Sequence, residues 1–164
     1  MKKIFASVLA LALALSMFTA CGKTANYDIK SVVAKIQETA PVDQPMDLDE
    51  SLMADLIGVN MDNVEEFYAQ QSSANTKSDI IVMIKSKKGK SADVKTDIEN
   101  FKTAREEAFA MYDTTEAAKL ASGRIVTKGD YVLLVVAGDN KRIENGEVDA
   151  VYAEIDTAID EATK

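Results

Sequence analysis

The stretch Asp79-Ile80-Ile81-Val82-Met83-Ile84 is apolar on both of its alternating faces. A strand with one face in water would alternate between apolar and polar residues, so this run predicts a central strand that is covered on both sides. A second run of the same kind, YVLLVVA, occupies residues 131–137. The two runs are therefore placed at the centre of the predicted sheet, with helices packed against it.

Two weaker strands are predicted beside these central ones. The first covers 64–72, and the polar segment 70–77 is a candidate hairpin connection from it to the first central strand. The second covers 124–127 and joins 131–137 through Lys128-Gly129-Asp130, a connection typical of a tight hairpin. Because hairpins join neighbours and buried strands take the centre, we predict a four-stranded, mostly antiparallel sheet in the order 1-2-4-3.

Helical spacing of apolar residues predicts five helices around this sheet, and residues 138–146 are predicted to form a polar loop. Asp28 and Asp49 are candidate N-caps of the two N-terminal helices, while Asp113 and Glu116 have the spacing of a capping box. The predicted fold class is α+β, with two extra N-terminal helices. The helices are predicted at 27–39, 50–57, 91–111, 113–120 and 147–161.

Residues 1–20 have the three parts of an export signal. Lys2 and Lys3 precede an uncharged apolar run at 4–17, and the small residues Thr19 and Ala20 precede Cys21. At about 14 residues, the run is shorter than the ~20 needed for a permanent transmembrane helix. The segment is therefore predicted to be a signal peptide that is removed after export.

The sequence FTAC at 18–21, followed by Gly22, resembles the bacterial lipobox, although Phe18 stands where that pattern prefers Leu. The resemblance implies that Cys21 is joined by a thioether to diacylglycerol, becomes the new N-terminus and can carry palmitate. The alternative is a small buried cysteine. We expect a lipoprotein signal peptide at 1–20, a short leader at 21–26 and a single α+β domain at 27–164, held on the extracytoplasmic face of the cell membrane.

The charge of the chain limits its partners. Loss of Lys2 and Lys3 with the signal leaves 17 basic against 27 acidic residues, a net charge of −10. Such an acidic chain repels nucleic acid, which is therefore not an expected partner, and as a whole it also repels anionic lipid head groups. Cys21 is the one cysteine of the sequence, so no disulfide is expected.

Four segments of the mature chain are distinctive: NVEEFYAQQ, SDIIVMIKSK, FKTAREEAFAMY and KLASGRIVTKGDYVLLVV. Together with the lipobox signal, they resemble a family of uncharacterised lipoproteins of low-GC Gram-positive bacteria that contain a domain of unknown function. The similarity extends over nearly the whole mature chain and is most specific at about 60–140. The resemblance implies a small α+β domain at the outer face of the cytoplasmic membrane, and it implies no catalytic residues.

The composition excludes several catalytic devices. The chain has no histidine, which rules out Ser-His-Asp and Cys-His arrangements and every zinc site that uses histidine. The two glycine-rich phosphate-binding motifs, G-x-G-x-x-G and G-x-x-x-x-G-K-[ST], are both absent from the sequence. No cofactor is therefore expected.

Paired carboxylates are the catalytic device that the composition leaves open. The adjacent or near pairs are more simply explained as solvated surface charges, and two acidic clusters lack the spacing of a calcium-binding loop. The pairs are Glu65 with Glu66, Glu106 with Glu107, and Asp47 with Asp49; the clusters are Asp43, Asp47, Asp49 and Glu50, and Asp139, Glu144 and Glu147.

Two further groups of residues are candidate binding surfaces. The lysine turn, defined as Lys85, Lys87, Lys88 and Lys90, can contact phosphates of lipid or wall polymers, or can simply keep a hydrophobic strand soluble. Tyr68, Tyr112 and Tyr131 can line a pocket or pack at the core edge. We expect a non-catalytic module that binds a protein, peptide or wall fragment; the alternative is a small carboxylate-dependent hydrolase at the cell envelope.

Overall fold

The computed structural model describes residues 26–164. The predicted signal peptide at 1–20, Cys21 and all of the predicted leader except Asn26 lie outside the described residues. Within 26–164, no helix has both the length and the apolar character needed to cross a bilayer.

The centre of the fold is an antiparallel sheet, which confirms the α+β class. The described sheet has five strands, which are β1 (Pro45–Asp47), β2 (Val64–Ser72), β3 (Ile80–Ser86), β4 (Arg124–Lys128) and β5 (Tyr131–Val136). All four pairs of neighbouring strands are antiparallel, and the order is β1-β2-β3-β5-β4. The prediction of a four-stranded sheet in the order 1-2-4-3 is wrong, because β1 adds a fifth strand; the four predicted strands, β2 to β5, keep their predicted order relative to one another.

The additional strand, β1, pairs with the end of β2 and forms one edge of the sheet. It has three residues, all of them exposed, so it carries no alternating pattern that the sequence could reveal. Pro45 is its first residue, a position that proline tolerates because an edge strand need not donate every N–H. The strand exists because β2 offers it a partner, and not because of its own composition.

Within residues 26–164, six α-helices surround the sheet. Asp28 and Asp49 cap the first two as predicted: Asp28 accepts from the N–H of Ser31, and Asp49 from that of Leu52. The second helix continues as a π-helical turn, Met53–Ile57, and a 3₁₀ turn follows at Met61–Asn63. The α-helices are α1 (Ile29–Gln37), α2 (Glu50–Leu52), α3 (Ser91–Ala110), α4 (Thr114–Ser122), α5 (Asn140–Glu144) and α6 (Val148–Ala162).

Two predictions about the helices are corrected. The segment 138–146 is not wholly a loop, because Asp139 accepts hydrogen bonds from the N–H groups of Lys141 and Arg142 and so begins α5. The capping box at α4 is incomplete. Asp113 caps the helix, but its own N–H donates to the carbonyl of Phe109, which leaves the side chain of Glu116 free to turn into the protein.

The helices form two layers, one on each side of the sheet. Alternate residues of β3 and β5 point into opposite cores, and all residues at 80–84 and 131–136 are buried, as predicted for covered central strands. One core contains residues of α1, α5 and α6, and the other contains residues of the π-helical turn, α3 and α4.

The two ends of the sheet differ in what lies there. At one end, here called the groove end because residues 39–44 and 138–142 form a groove there, Ile80 of β3 pairs with Val136 of β5. At the opposite end, here called the Asn26 end, Lys85 pairs with Tyr131, and the Tyr131 hydroxyl donates to Asn26.

Candidate functional site

A groove of about 830 Å³ lies at the groove end of the sheet. Two loops form its walls: residues 39–44, between α1 and β1, and residues 138–142, at the start of α5. Its lining combines carboxylates, cations and amides with apolar surface. The charged lining residues are Asp43, Asp79, Asp139, Lys77, Lys141 and Arg142, and the others include Thr39, Gln44 and Asn140.

The backbone of both loops is tightly constrained. Gly138 has φ +132°, and a Cβ at this position would lie 2.7 Å from Cγ1 of Val151, so only glycine fits where the loop meets α6. Gln44 adopts φ +47° without being glycine, and its carbonyl accepts a hydrogen bond from Ser73 at 3.0 Å. Left-handed backbone at a non-glycine residue costs about 1–2 kcal/mol and is held by its surroundings.

Behind the groove lies a buried charge cluster, defined as Ser78, Asp79, Glu116 and Lys119. The Nζ atom of Lys119 is 2.7 Å from Oδ1 of Asp79 and 3.2 Å from Oε2 of Glu116. Lys119 and Glu116 are fully buried, and Asp79 is only 4% exposed. One ammonium group is therefore shared by two carboxylates out of contact with water, and Asp79 connects the cluster to the groove lining.

Glu116 accepts hydrogen bonds from several directions. Ser78 donates to Oε2 through its backbone N–H at 2.9 Å and its hydroxyl at 2.6 Å, and Asn140 donates to Oε1 at 2.6 Å. Lys77 lies 3.4 Å from Oε1. Burial alone would raise the pKa of Glu116, but the hydrogen bonds from Ser78 and Asn140 together with the charge of Lys119 lower it to about 2.

Asp79 is shifted in the opposite direction. Burial raises the pKa of its carboxyl, and the negative charge of Glu116 adds to this increase. The attraction and hydrogen bond of Lys119 oppose the increase without removing it. The cluster thus contains two carboxyl groups whose environments separate their pKa values.

Separated pKa values are characteristic of catalytic acid–base pairs, but these also need contact with substrate. Glu116 has no exposed surface, and the carboxylate of Asp79 is paired with the fully buried ammonium group of Lys119. The hydroxyl of Tyr152 donates to the carbonyl of Lys119 at 2.6 Å, so α6 is also tied to the cluster. The arrangement is better suited to fixing α4, β3 and the loop at Asn140 around the groove than to proton transfer.

The carboxylates singled out in the sequence are spread over the surface. Glu65 pairs with Lys85 and Glu106 with Lys102, while Asp47 accepts from the hydroxyl of Tyr68. Within the part of the chain that the structure describes, no three acidic, histidine or cysteine residues are grouped in a way that could hold a metal ion. Among the two candidate calcium clusters, Asp43 and Asp139 line the groove, on different loops.

The three tyrosines do not share a pocket. Tyr68 lies on β2 beneath the ammonium of Lys30, which is 5.4 Å from the ring centroid. Tyr112 is 63% exposed at the end of α3, and Tyr131 is buried at the Asn26 end of the sheet. The lysine turn also lies at the Asn26 end, away from the groove.

Comparison with known protein families finds one that matches the chain. Residues 38–137 match the family described as a domain of unknown function, DUF4358, which is more than half of the 164 residues. The chain belongs to the DUF4358 family. The expected resemblance to a domain of unknown function is thereby confirmed at the level of the family. No curated protein and no solved structure matches the chain.

The DUF4358 match includes only part of the groove. It contains the wall at 39–44 and the buried charge cluster, whereas the wall at 138–142 follows the matched segment. Sequence reasoning did not single out Asp79 or Lys119. A signal was present in α4, where Glu116, Lys119 and Leu120 share one face at i, i+3 and i+4, so opposite charges stand on an apolar stripe.

Proposed function

We propose that this DUF4358 protein is a lipid-anchored extracytoplasmic module that binds a small polar ligand in the groove between residues 39–44 and 138–142. The single observation that carries the proposal is the groove itself. Its volume of about 830 Å³ lies within the range of small-molecule and peptide sites, about 300–1,000 Å³.

The lining indicates the kind of ligand. Asp43 and Asp139 present carboxylates, and Lys141 presents an ammonium group on an exposed side chain. Arg142 is already engaged by Glu147 and Glu154. Both signs of charge within one groove suit a ligand that carries an ammonium and a carboxylate, such as a short peptide or the peptide part of a wall fragment.

The groove is also preorganised for binding. The backbone constraint at Gly138, the hydrogen bond from Asn140 to Glu116 and the buried charge cluster hold its walls without a ligand. A rigid site loses less conformational entropy on binding, which favours affinity. This supports a binding role. The hydrolase alternative needs an acid pair with separated pKa values in contact with substrate, and in the pair formed by Asp79 and Glu116 the second carboxyl is fully buried.

We expect ligand binding to depend on the groove charges. The purified protein is melted with a panel of dipeptides and wall-peptide fragments that have free termini. A ligand at ten times its Kd stabilises the folded state by about 1.4 kcal/mol, which raises Tm by a few degrees. The Asp43→Asn, Lys141→Gln double variant should lose this increase, because it removes an exposed carboxylate and an exposed ammonium group from the groove.

The matched control is the Glu107→Gln, Lys95→Gln double variant, which makes the same changes on the surface of α3, away from the groove. It should retain the full ligand-induced increase in Tm. A panel in which no compound raises Tm, or an increase that survives in the groove variant, would refute the groove as the ligand site.

The lipid anchor has its own test. Cells fed labelled palmitate should label the wild-type protein, whereas the Cys21→Ser variant should take up no label, because serine has no thiol for the thioether. A Ser16→Ala variant, which alters the signal but keeps the thiol, should be labelled like the wild type. Labelling that persists in Cys21→Ser would overturn the anchor.

A further inference from the structure

The first described residues are firmly held at one end of the molecule. The backbone N–H of Tyr27 donates to the Tyr131 hydroxyl at 3.3 Å, and that hydroxyl donates to Asn26 at 3.2 Å. The two tyrosine rings meet edge to face at 5.0 Å, and the Tyr27 hydroxyl donates to the carbonyl of Thr163. The chain therefore enters the fold at a fixed point.

This point is far from the groove. β5 runs for six residues from Tyr131 to Val136, and the groove loop follows it directly. At about 3.3 Å per residue, the two ends of the sheet are roughly 20 Å apart. The five peptide units between Cys21 and Asn26 extend at most ~18 Å. A lipid on Cys21 therefore places the Asn26 end, and not the groove end, next to the bilayer.

The lysine turn lies at this same end, because Lys85 is the register partner of Tyr131. Lys85 is neutralised by Glu65 and Lys90 by Asp93. Lys87 and Lys88 are exposed, and within 26–164 neither forms a salt bridge with a carboxylate; the Nζ atom of Lys87 donates to the backbone carbonyl of Asp62. Among the described residues, two exposed cationic side chains without a carboxylate partner therefore lie at the Asn26 end.

We infer that the turn at 85–90 lies against anionic lipid head groups, with Lys87 and Lys88 as the contacting cations, so that the groove opens away from the membrane. The inference rests on the proposed lipid anchor. The acidic chain is repelled by an anionic surface as a whole, so the lipid supplies residence on the membrane, and the two lysines select which end faces it. A groove turned outward is open to ligands of the cell wall.

The geometry can be measured with two labels on one helix. Ala92 and Ala110 are exposed residues near opposite ends of α3, about 27 Å apart at 1.5 Å per residue. Because Cys21 is acylated in the lipoprotein, Ala92→Cys or Ala110→Cys provides the one free thiol for a fluorophore. The labelled lipoprotein is reconstituted in vesicles that contain equal amounts of phosphatidylglycerol and phosphatidylcholine and a quencher on the head groups.

Quenching should be several-fold greater for the label at Ala92 than for the label at Ala110. Replacing phosphatidylglycerol with phosphatidylcholine should reduce the quenching at Ala92. The Lys87→Glu, Lys88→Glu change in the Ala92→Cys protein should reduce it equally. Lys141→Glu, at the groove end, is the control and should leave it unchanged.

The possible results test the lipid anchor and the orientation of the domain separately. Lipoprotein that does not float with the vesicles refutes the anchor, and the inference with it. Lipoprotein that floats but shows equal quenching of the two labels keeps the anchor and refutes the orientation. Quenching at Ala92 that depends on neither phosphatidylglycerol nor Lys87 and Lys88 refutes the head-group contact.

Discussion

Replacing Lys119 with methionine is expected to lower the free energy of unfolding by about 3–5 kcal/mol, as is typical when one member of a buried ion pair is removed. The ammonium of Lys119 is the shared partner of Asp79 and Glu116, and it is fully buried. Methionine fills a similar volume but leaves both carboxylates without this charge. Leaving buried carboxylates without this counter-ion costs far more free energy than the small change in packing.

Denaturant melts at neutral pH measure this loss. The matched control is Lys95→Met, which removes an ion pair of similar length, 2.9 Å to Glu99, between exposed side chains on α3. Its expected cost is at most about 0.5 kcal/mol, because water screens the pair. Adding Asp79→Asn to Lys119→Met should recover part of the stability, since one uncompensated charge is removed. Equal losses for Lys119→Met and Lys95→Met would contradict the importance of the buried cluster.

The central strands could be predicted from sequence because their signal is local and strong. The runs at 80–84 and 131–136 are apolar throughout, and burial on both faces is the one environment that suits a strand of this composition. The caps Asp28 and Asp49 were predictable for a similar reason, since an N-cap side chain bonds to its own first turn.

The two missed elements, β1 and α5, are both short. β1 is three exposed residues that become a strand through pairing with β2, and α5 is a five-residue helix with one buried apolar side chain, Ile143. Neither is long enough to show a period. The groove is harder still to predict, because it arises where residues 39–44 meet residues about 100 positions later.

The buried charge cluster was missed because each member has a simpler local explanation. Glu116 has the spacing of a capping-box residue after Asp113, and Lys119 resembles a solvated helix residue. In the fold, the N–H of Asp113 is already bonded to Phe109, so Glu116 turns inward to Ser78. The buried charges are tolerated because Lys119 neutralises the carboxylates and Ser78 donates hydrogen bonds to Glu116. This arrangement cannot be read from any one of these residues in the sequence.

Acid is expected to remove the contribution of Glu116 to stability. Its folded pKa of about 2 lies below the ordinary value of 4.5, so the contribution is complete above pH 4.5 and is lost as the pH falls through about 2. At 1.36 kcal/mol per pKa unit, the difference corresponds to about 3 kcal/mol. Asp79 acts in the opposite sense: its raised pKa favours the folded state in acid, and that contribution is lost as the pH rises through its folded pKa.

The contribution of Glu116 is isolated by comparing the wild type with Glu116→Gln from pH 2 to pH 7. The variant should be less stable by about 3 kcal/mol at neutral pH. The difference should shrink towards zero as the pH approaches 2, because about half of the folded wild-type carboxyl and nearly all of the unfolded one are then protonated and neutral. Glu154→Gln is the control, since Arg142 lowers the pKa of Glu154 at an exposed site, where the pH-dependent difference should be small. A difference for Glu116→Gln that stays constant over this range would mean that hydrogen bonding, and not the ionised state of Glu116, holds α4 against β3.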